Sequence, residues 1–180
     1  MDEDTETVVR LVAVQGAVVA AVIHLTVGAP RLLQYLRAWL FNDPRPYLFV
    51  PSGLVLLVVA AAVWQGRRVR PAAGVGLLLS ASYMTGYAWW HLSGHGDNAP
   101  SHEVTDPVGE VAGHLLADPL ALVAFVAEAT AVAGFAALLV AVERADVDAD
   151  ASADADADAA PGRVNRGDDE ATATVEDAPE

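Results

Sequence analysis

Residues 72–91 read AAGVGLLLSASYMTGYAWWH, and this stretch predicts a membrane-spanning helix with one polar face. A helix needs about 20 predominantly apolar residues to cross a bilayer, and this run meets that length. Ser80, Tyr83, Tyr87 and His91 follow one another at helical intervals, so a helix carries all four side chains on one side. The sequence therefore predicts a span that turns polar side chains toward neighbouring helices.

Other apolar runs of similar length flank this stretch on both sides. The spans are predicted at 8–27, 48–65, 72–90 and 120–142. We therefore expect an all-α fold, a four-span transmembrane helical bundle over residues 8–145, after a short acidic segment at 1–7. Residues 146–180 are rich in alternating Asp and Ala and bury too little apolar surface to offset the entropy of ordering, so they predict a disordered acidic tail.

The segment between the first two spans has a different character. Gly28, Ala29 and Pro30 predict the end of the first helix, and residues 31–41 (RLLQYLRAWLF) are too short and too charged to span. Their mixture of arginines with large apolar side chains fits a helix lying in the membrane interface. An ordinary connecting helix packed on the bundle explains the pattern equally well.

Composition excludes several functions. The chain has no cysteine, which rules out disulfides, thiolate metal sites and cysteine nucleophiles. All ten basic residues are arginine, and the net charge of −14 with the Asp/Ala-rich tail is typical of halophile proteins. No phosphate-binding loop, serine nucleophile motif or basic nucleic-acid face is present, so we expect no enzyme and no nucleic-acid partner.

One polar group is predicted inside the bundle. His24 shares a helical face with the small residues Ala13, Gly16 and Ala20, and small residues let membrane helices approach closely. Glu128 is the one charged residue inside the fourth span, and an unpaired carboxylate in lipid costs a few kcal/mol, on the order of 3 or more. The sequence therefore predicts that Glu128 pairs with His24.

Tyr83 and Tyr87 complete this predicted polar cluster, because they lie in the same outer half of the bilayer as His24 and Glu128. The cluster has three interpretations. It is a set of hydrogen bonds that fixes helix packing, an element of a proton relay or ion site, or part of a ligand pocket.

A second candidate site lies near the end of the third span and in the following loop. Imidazole and carboxylate groups there form a candidate ligand set for Cu or Zn: His91, His95, His102, Glu110 and His114. No spacing among them matches a known metal signature, and solvated loop histidines are the alternative. Haem held between His24 and one of these histidines is a further hypothesis.

Arginine distribution predicts orientation. Arg10, Arg144 and the three arginines of the 66–71 loop lie on one side of a four-span bundle, against Arg31, Arg37 and Arg45 on the other. Arginine is enriched in cytoplasmic loops, so both termini are predicted in the cytoplasm.

Several short sequence features are shared with other membrane proteins. They are His24-Leu25, Ala29-Pro30-Arg31-Leu32-Leu33, Gly66-Arg67-Arg68, Gly86-Tyr87 and Glu128. With these features the chain resembles a loose group of small four-helix integral membrane proteins found in halophilic archaea and actinobacteria. The group has no settled activity, so the resemblance implies a multi-pass protein of the cell membrane and no reaction.

Three functional classes follow from these patterns. The first is a non-enzymatic accessory or structural subunit in the membrane. The second is a metal- or haem-binding membrane protein that uses the outer histidines. The third is a small proton- or ion-coupled carrier centred on the buried Glu/His pair. The partner common to all three is the lipid bilayer, and the Ala- and Gly-rich helix faces suit a monomer or a homo-oligomer equally.

Overall fold

A computed structural model describes residues 2–41, 43–93 and 105–159 of the 180-residue chain. This described part is all-helical and contains no strand. Its five helices are α1 (Glu3–Ala38), α2 (Arg45–Trp64), α3 (Val69–Leu92), α4 (Pro107–Ala117) and α5 (Pro119–Ala159). Residues 1–145 and 146–180 form two separate units, and the buried core described below belongs to the first.

Three helices of the described part are long and apolar enough to cross a membrane: α1, α2 and the Pro119–Ala149 part of α5. These three helices indicate membrane insertion. α3 is 24 residues long but is not among them. Its glycines and its Ser, Thr and Tyr side chains dilute the aliphatic content that the other three have.

Close backbone contact between α1 and α5 forms the centre of the first unit. A Cβ atom added to Gly16 would lie 2.7 Å from the carbonyl oxygen of Ala127. One added to Gly134 would lie 2.7 Å from the Cα atom of Ala13. The face of α1 that the sequence singles out is indeed buried, because Ala13, Gly16, Ala20 and His24 all lie inside. Small residues at these positions bring the two helix axes together.

Glycines also allow the other helices to approach. A Cβ atom on Gly28 would lie 2.8 Å from the Cβ of Phe49, which packs α2 against α1. Gly76 of α3 faces the ring of Phe135 on α5, and that ring is fully buried. The remaining core side chains are aliphatic, so most of the interior offers packing and no chemistry.

The predicted break after Gly28 is wrong, because α1 runs through Pro30 to Ala38 without interruption. Proline removes one backbone donor and crowds the preceding turn, yet membrane helices tolerate it when the freed backbone groups find other partners. The helix ends at Trp39, which adopts a left-handed conformation with φ of 51°. Most of the segment expected as a separate interfacial helix is therefore the last part of α1.

The segment before α5 contains a short helix, α4. Asp106 caps α4, accepting a hydrogen bond from the Gly109 backbone N–H at 2.9 Å. At the other end of the chain, residues 146–159 have helical backbone where the sequence predicts disorder. Alternate alanines explain this difference, since alanine has the highest helix propensity. The disorder predicted for residues 160–180 lies outside the described residues.

Candidate functional site

His24 and Glu128 meet inside the bundle, in the contact that the sequence predicts. Nε2 of His24 lies 2.9 Å from Oε1 of Glu128, although the residues are 104 positions apart in the chain. Both residues are only 4% exposed. The close approach of α1 and α5 at Gly16 and Gly134 brings the two side chains into hydrogen-bond range, so the glycines determine this contact indirectly.

Two aromatic rings enclose the imidazole. The Phe49 ring stacks on His24 with centroids 5.0 Å apart and an angle of 9° between the ring planes. The Tyr83 ring lies 4.2 Å from the imidazole centroid, tilted by 49°. Aromatic faces attract a cation, so this setting suits an imidazolium as well as a neutral imidazole.

α2 contributes a hydroxyl that the sequence analysis missed. Ser52 donates a hydrogen bond to the Phe49 carbonyl at 3.0 Å. That bond uses its single hydrogen, so the hydroxyl of Tyr83 donates to Ser52 Oγ across a distance of 2.7 Å. Phe49 and Ser52 lie at the start of a span that is otherwise aliphatic, and only the adjacent Pro51 and Gly53 distinguish this turn in the sequence.

Three buried polar atoms have no hydrogen-bond partner among the described residues. They are Nε of Arg10, near the start of α1, and, deeper in the bundle, Nδ1 of His24 and Oγ of Ser80. An unsatisfied buried polar group costs about 1–3 kcal/mol. The remaining ring nitrogen of His24 is therefore the one feature of the pair that packing alone does not account for.

The net charge of the pair limits its chemistry. With one proton between them, His24 and Glu128 are neutral together, either as imidazolium and carboxylate or as imidazole and carboxylic acid. The pair is thus well suited to join two helices through one hydrogen bond.

Tyr87 belongs to a second cluster, one turn further along α3. Its ring lies 4.3 Å from that of His91 and 6.1 Å from that of Phe125. His91 in turn stacks on His114 of α4, with centroids 4.2 Å apart and ring planes 28° apart. Nε2 of His114 lies 3.0 Å from Oε1 of Glu110. The polar face predicted on α3 is therefore shared between two clusters, an inner one around His24 and an outer one around His91.

The predicted metal ligands are only partly brought together. His91, Glu110 and His114 lie side by side in the outer cluster, whereas His95 and His102 lie outside the described residues. Within 2–41, 43–93 and 105–159, no group of three or more acidic or histidine side chains has the geometry to hold a metal ion. Stacked imidazoles direct their lone pairs along the ring planes, so rings facing each other do not converge on one ion. Metal and haem binding stay predictions.

Two surface grooves lie elsewhere in the described part. One is lined by α2 and α3 side chains near the α2–α3 loop, and the other by the outward face of α3 around Ser82. Neither groove includes His24 or Glu128. The inner cluster is thus enclosed by side chains and does not line either groove.

Comparison with known proteins returned no match. The chain matches no protein-family model, no curated protein and no solved structure.

Proposed function

We propose that the chain is a four-span integral membrane protein with a non-enzymatic accessory or structural role, in which the His24–Glu128 pair joins the first span to the last. α1, α2 and α5 have the length and hydropathy of spans. α3 is the additional span in this proposal, because 24 residues rise about 36 Å as a helix, enough to cross the hydrocarbon core. Ser80 and Tyr83 then face the neighbouring helices, whereas the exposed hydroxyls of Ser82 and Thr85 donate hydrogen bonds to carbonyls of their own helix.

The observation that carries the proposal is the buried contact of 2.9 Å between the two side chains. In lipid, apolar surface does not drive helices together, so polar contacts and close packing supply the association energy. A neutral, enclosed pair between α1 and α5 supplies both specificity and attraction there. The arginine distribution supports cytoplasmic termini, with the α2–α3 loop on the same side.

A double-mutant cycle tests this role. The full chain is purified in mild detergent at high salt as wild type, His24→Ala, Glu128→Gln and the double variant, and unfolding free energies are measured by detergent titration. We expect a coupling energy of about 1–2 kcal/mol, because each single change removes the same interaction. Glu143→Gln, an exposed carboxylate on α5, is the matched control and should leave stability unchanged.

Additive losses in that cycle would contradict the proposal, since independent side chains do not couple. Flotation of the reconstituted chain with lipid vesicles tests membrane insertion separately. A chain that stays with the soluble fraction after alkaline washing would overturn the membrane assignment itself.

The second candidate is a proton- or ion-coupled carrier, and one observation favours it. Nδ1 of His24 is buried without a hydrogen-bond partner in the described residues, and imidazole is the side chain that most often serves in proton transfer. Proton uptake into vesicles driven by a pH gradient tests this role. Uptake that Glu128→Gln abolishes, in a variant that still folds, would favour the carrier over the structural pair. Uptake that does not respond to Glu128→Gln would exclude it.

A further inference from the structure

An open groove runs between α2 and α3 at the end where their loop lies. Its volume is about 450 Å³, within the range of small-molecule sites. Its walls are apolar, and its lining includes Leu54 and Val58 from α2 and Val75 from α3. These three side chains are 53%, 69% and 47% exposed, so the groove opens on the outer surface of the bundle.

Small side chains leave the groove open near the loop. Ala62 and Ala72 line it near the loop, while Leu54 and Val58 lie further along α2. The loop itself turns sharply, with φ of 67° at Gly66 and 49° at Arg68. The groove is apolar along its length, and Arg68 of the loop lines it.

Arginine residues lie at the loop end of the groove. Arg68 lines the groove directly, and Arg67 and Arg70 lie in or next to the same loop. Arg10 of α1 is also close, because a Cβ atom on Gly66 would lie 3.6 Å from its Nη1. Arg10 pairs with Glu6, and Arg68 is the arginine among the residues that line the groove. Hydrocarbon along the walls and a cation at one end match an amphiphile with an anionic head.

The geometry points to a binding site for one anionic phospholipid, with a hydrocarbon chain in the α2–α3 groove and the phosphate at Arg68. Guanidinium groups bind phosphate oxygens with paired N–H donors. Basic pockets between membrane helices are known to select anionic headgroups. The inference rests on the membrane insertion proposed above. It adds charge complementarity between Arg68 and the phosphate, and apolar contact between the groove walls and the hydrocarbon chain.

The test compares two lipids that differ only in headgroup. The full chain is reconstituted with phosphatidylglycerol or with phosphatidylcholine of the same chains, extracted gently, and its retained lipids are counted by native mass spectrometry. We expect one phosphatidylglycerol per chain, retained at least about fivefold better than phosphatidylcholine, since one arginine near the surface contributes roughly that factor. Arg68→Gln should remove this preference, whereas Arg31→Gln, on the opposite side of the bundle, should not.

The groove is tested with a second pair of variants. Val58→Trp fills the apolar channel and should lower retention of phosphatidylglycerol several-fold, on the order of 5 or more. Val22→Trp places the same ring on an exposed position of α1, 51% accessible, and should leave retention unchanged. Both sites are on the surface, so neither change threatens folding.

Equal retention of the two lipids by the wild type would overturn the lipid site. So would a preference that survives both Arg68→Gln and Val58→Trp. Flotation of the same samples separates the two proposals. A chain that floats with both vesicle types but shows no headgroup preference keeps the membrane assignment and loses the lipid site, and a chain that does not float loses both.

Discussion

Two histidine–glutamate pairs in this protein share one geometry and differ in every other respect. His24 and Glu128 approach to 2.9 Å, and His114 and Glu110 to 3.0 Å, each through Nε2 and Oε1. The side chains of the inner pair are 5% exposed. Those of the outer pair are 37% and 30% exposed and lie one turn apart on a single helix. The inner pair joins α1 to α5, whereas the hydrogen bond of the outer pair lies within α4, and His114 reaches α3 through its ring contact with His91.

Distance alone does not give the strength of a pair. Solvent screens an exposed pair, and neighbours on one helix are already close before the chain folds. A buried pair between distant helices forms only in the folded bundle, and removing one partner leaves the other without compensation. The inner pair is therefore expected to respond strongly to mutation, and the outer pair weakly.

The largest difference in unfolding free energy is expected between the variants His24→Ala and His114→Ala. Removing one partner of a buried pair costs about 3–5 kcal/mol, whereas an exposed pair of neighbours contributes less than about 1 kcal/mol. Detergent unfolding of both variants of the full chain measures the difference. Equal losses of stability would contradict the expectation that burial makes the inner pair the stronger of the two.

A smaller loss is expected from Gly16→Ala, which tests the backbone contact beneath the inner pair. The added methyl group would lie 2.7 Å from the Ala127 carbonyl oxygen and should cost about 1–3 kcal/mol through overpacking. Gly113→Ala on α4 is the control, because no described atom lies within 4 Å of a Cβ there. It should gain up to about 1 kcal/mol from helix propensity. A tolerated Gly16→Ala would argue against close α1–α5 packing.

The two tyrosines of α3 also compare the inner cluster with the outer one. Tyr83→Phe removes the hydrogen bond to Ser52 and should cost about 1 kcal/mol. Tyr87→Phe keeps the ring contacts with His91 and Phe125 and should cost less than about 0.5 kcal/mol. Parallel unfolding measurements decide the order. A greater loss at Tyr87 would mean that the outer cluster carries more of the stability than its exposure indicates.

The smallest effect expected is a loss of stability at acidic pH, through a third ion pair formed by Asp43 and Arg45. The hydrogen bond from the Arg45 guanidinium lowers the pKa of Asp43 below its usual 3.8. A carboxyl with a lowered pKa stabilises the fold above pH 3.8, and this contribution disappears as pH falls through the folded-state value. Arg45 is 44% exposed at its side chain, so solvent screening holds the loss under about 1 kcal/mol.

Unfolding free energies of wild type and Asp43→Asn, measured between pH 5 and pH 2, test this contribution of Asp43. The variant should lack the part of the acid dependence that Asp43 supplies. Identical curves would show that the Asp43–Arg45 pair contributes nothing to stability.

Much of the architecture could be predicted because it depends on local patterns. Apolar runs located the long helices, and the spacing of small residues on α1 indicated which side His24 faces. Pro30 misled the prediction, since local rules treat proline as a helix end, whereas membrane helices tolerate it and α1 continues through it. α3 was predicted as a span with the same weight as the others, yet its composition sets it apart from the three apolar helices.

The site could be predicted only in part, for a different reason. Pairing of Glu128 with His24 follows from the cost of a lone carboxylate in an apolar bundle. The assignment of Tyr87 to the same cluster does not hold, because one helical turn along α3 moves its ring to His91. Ser52 was missed because nothing in its own sequence neighbourhood shows which hydroxyl lies across from it.

The sequence by itself determined the helical class, the apolar segments, the buried faces of α1 and α5, and the need for a partner to Glu128. These follow from composition and from the helical period, which are properties of each segment alone. Only the tertiary structure decided that α1 continues past Pro30, that Phe49 and Ser52 of α2 complete the inner cluster, and that α2 and α3 enclose a groove ending at Arg68. These depend on how closely helices approach, and the fit of glycines against facing backbones sets that distance.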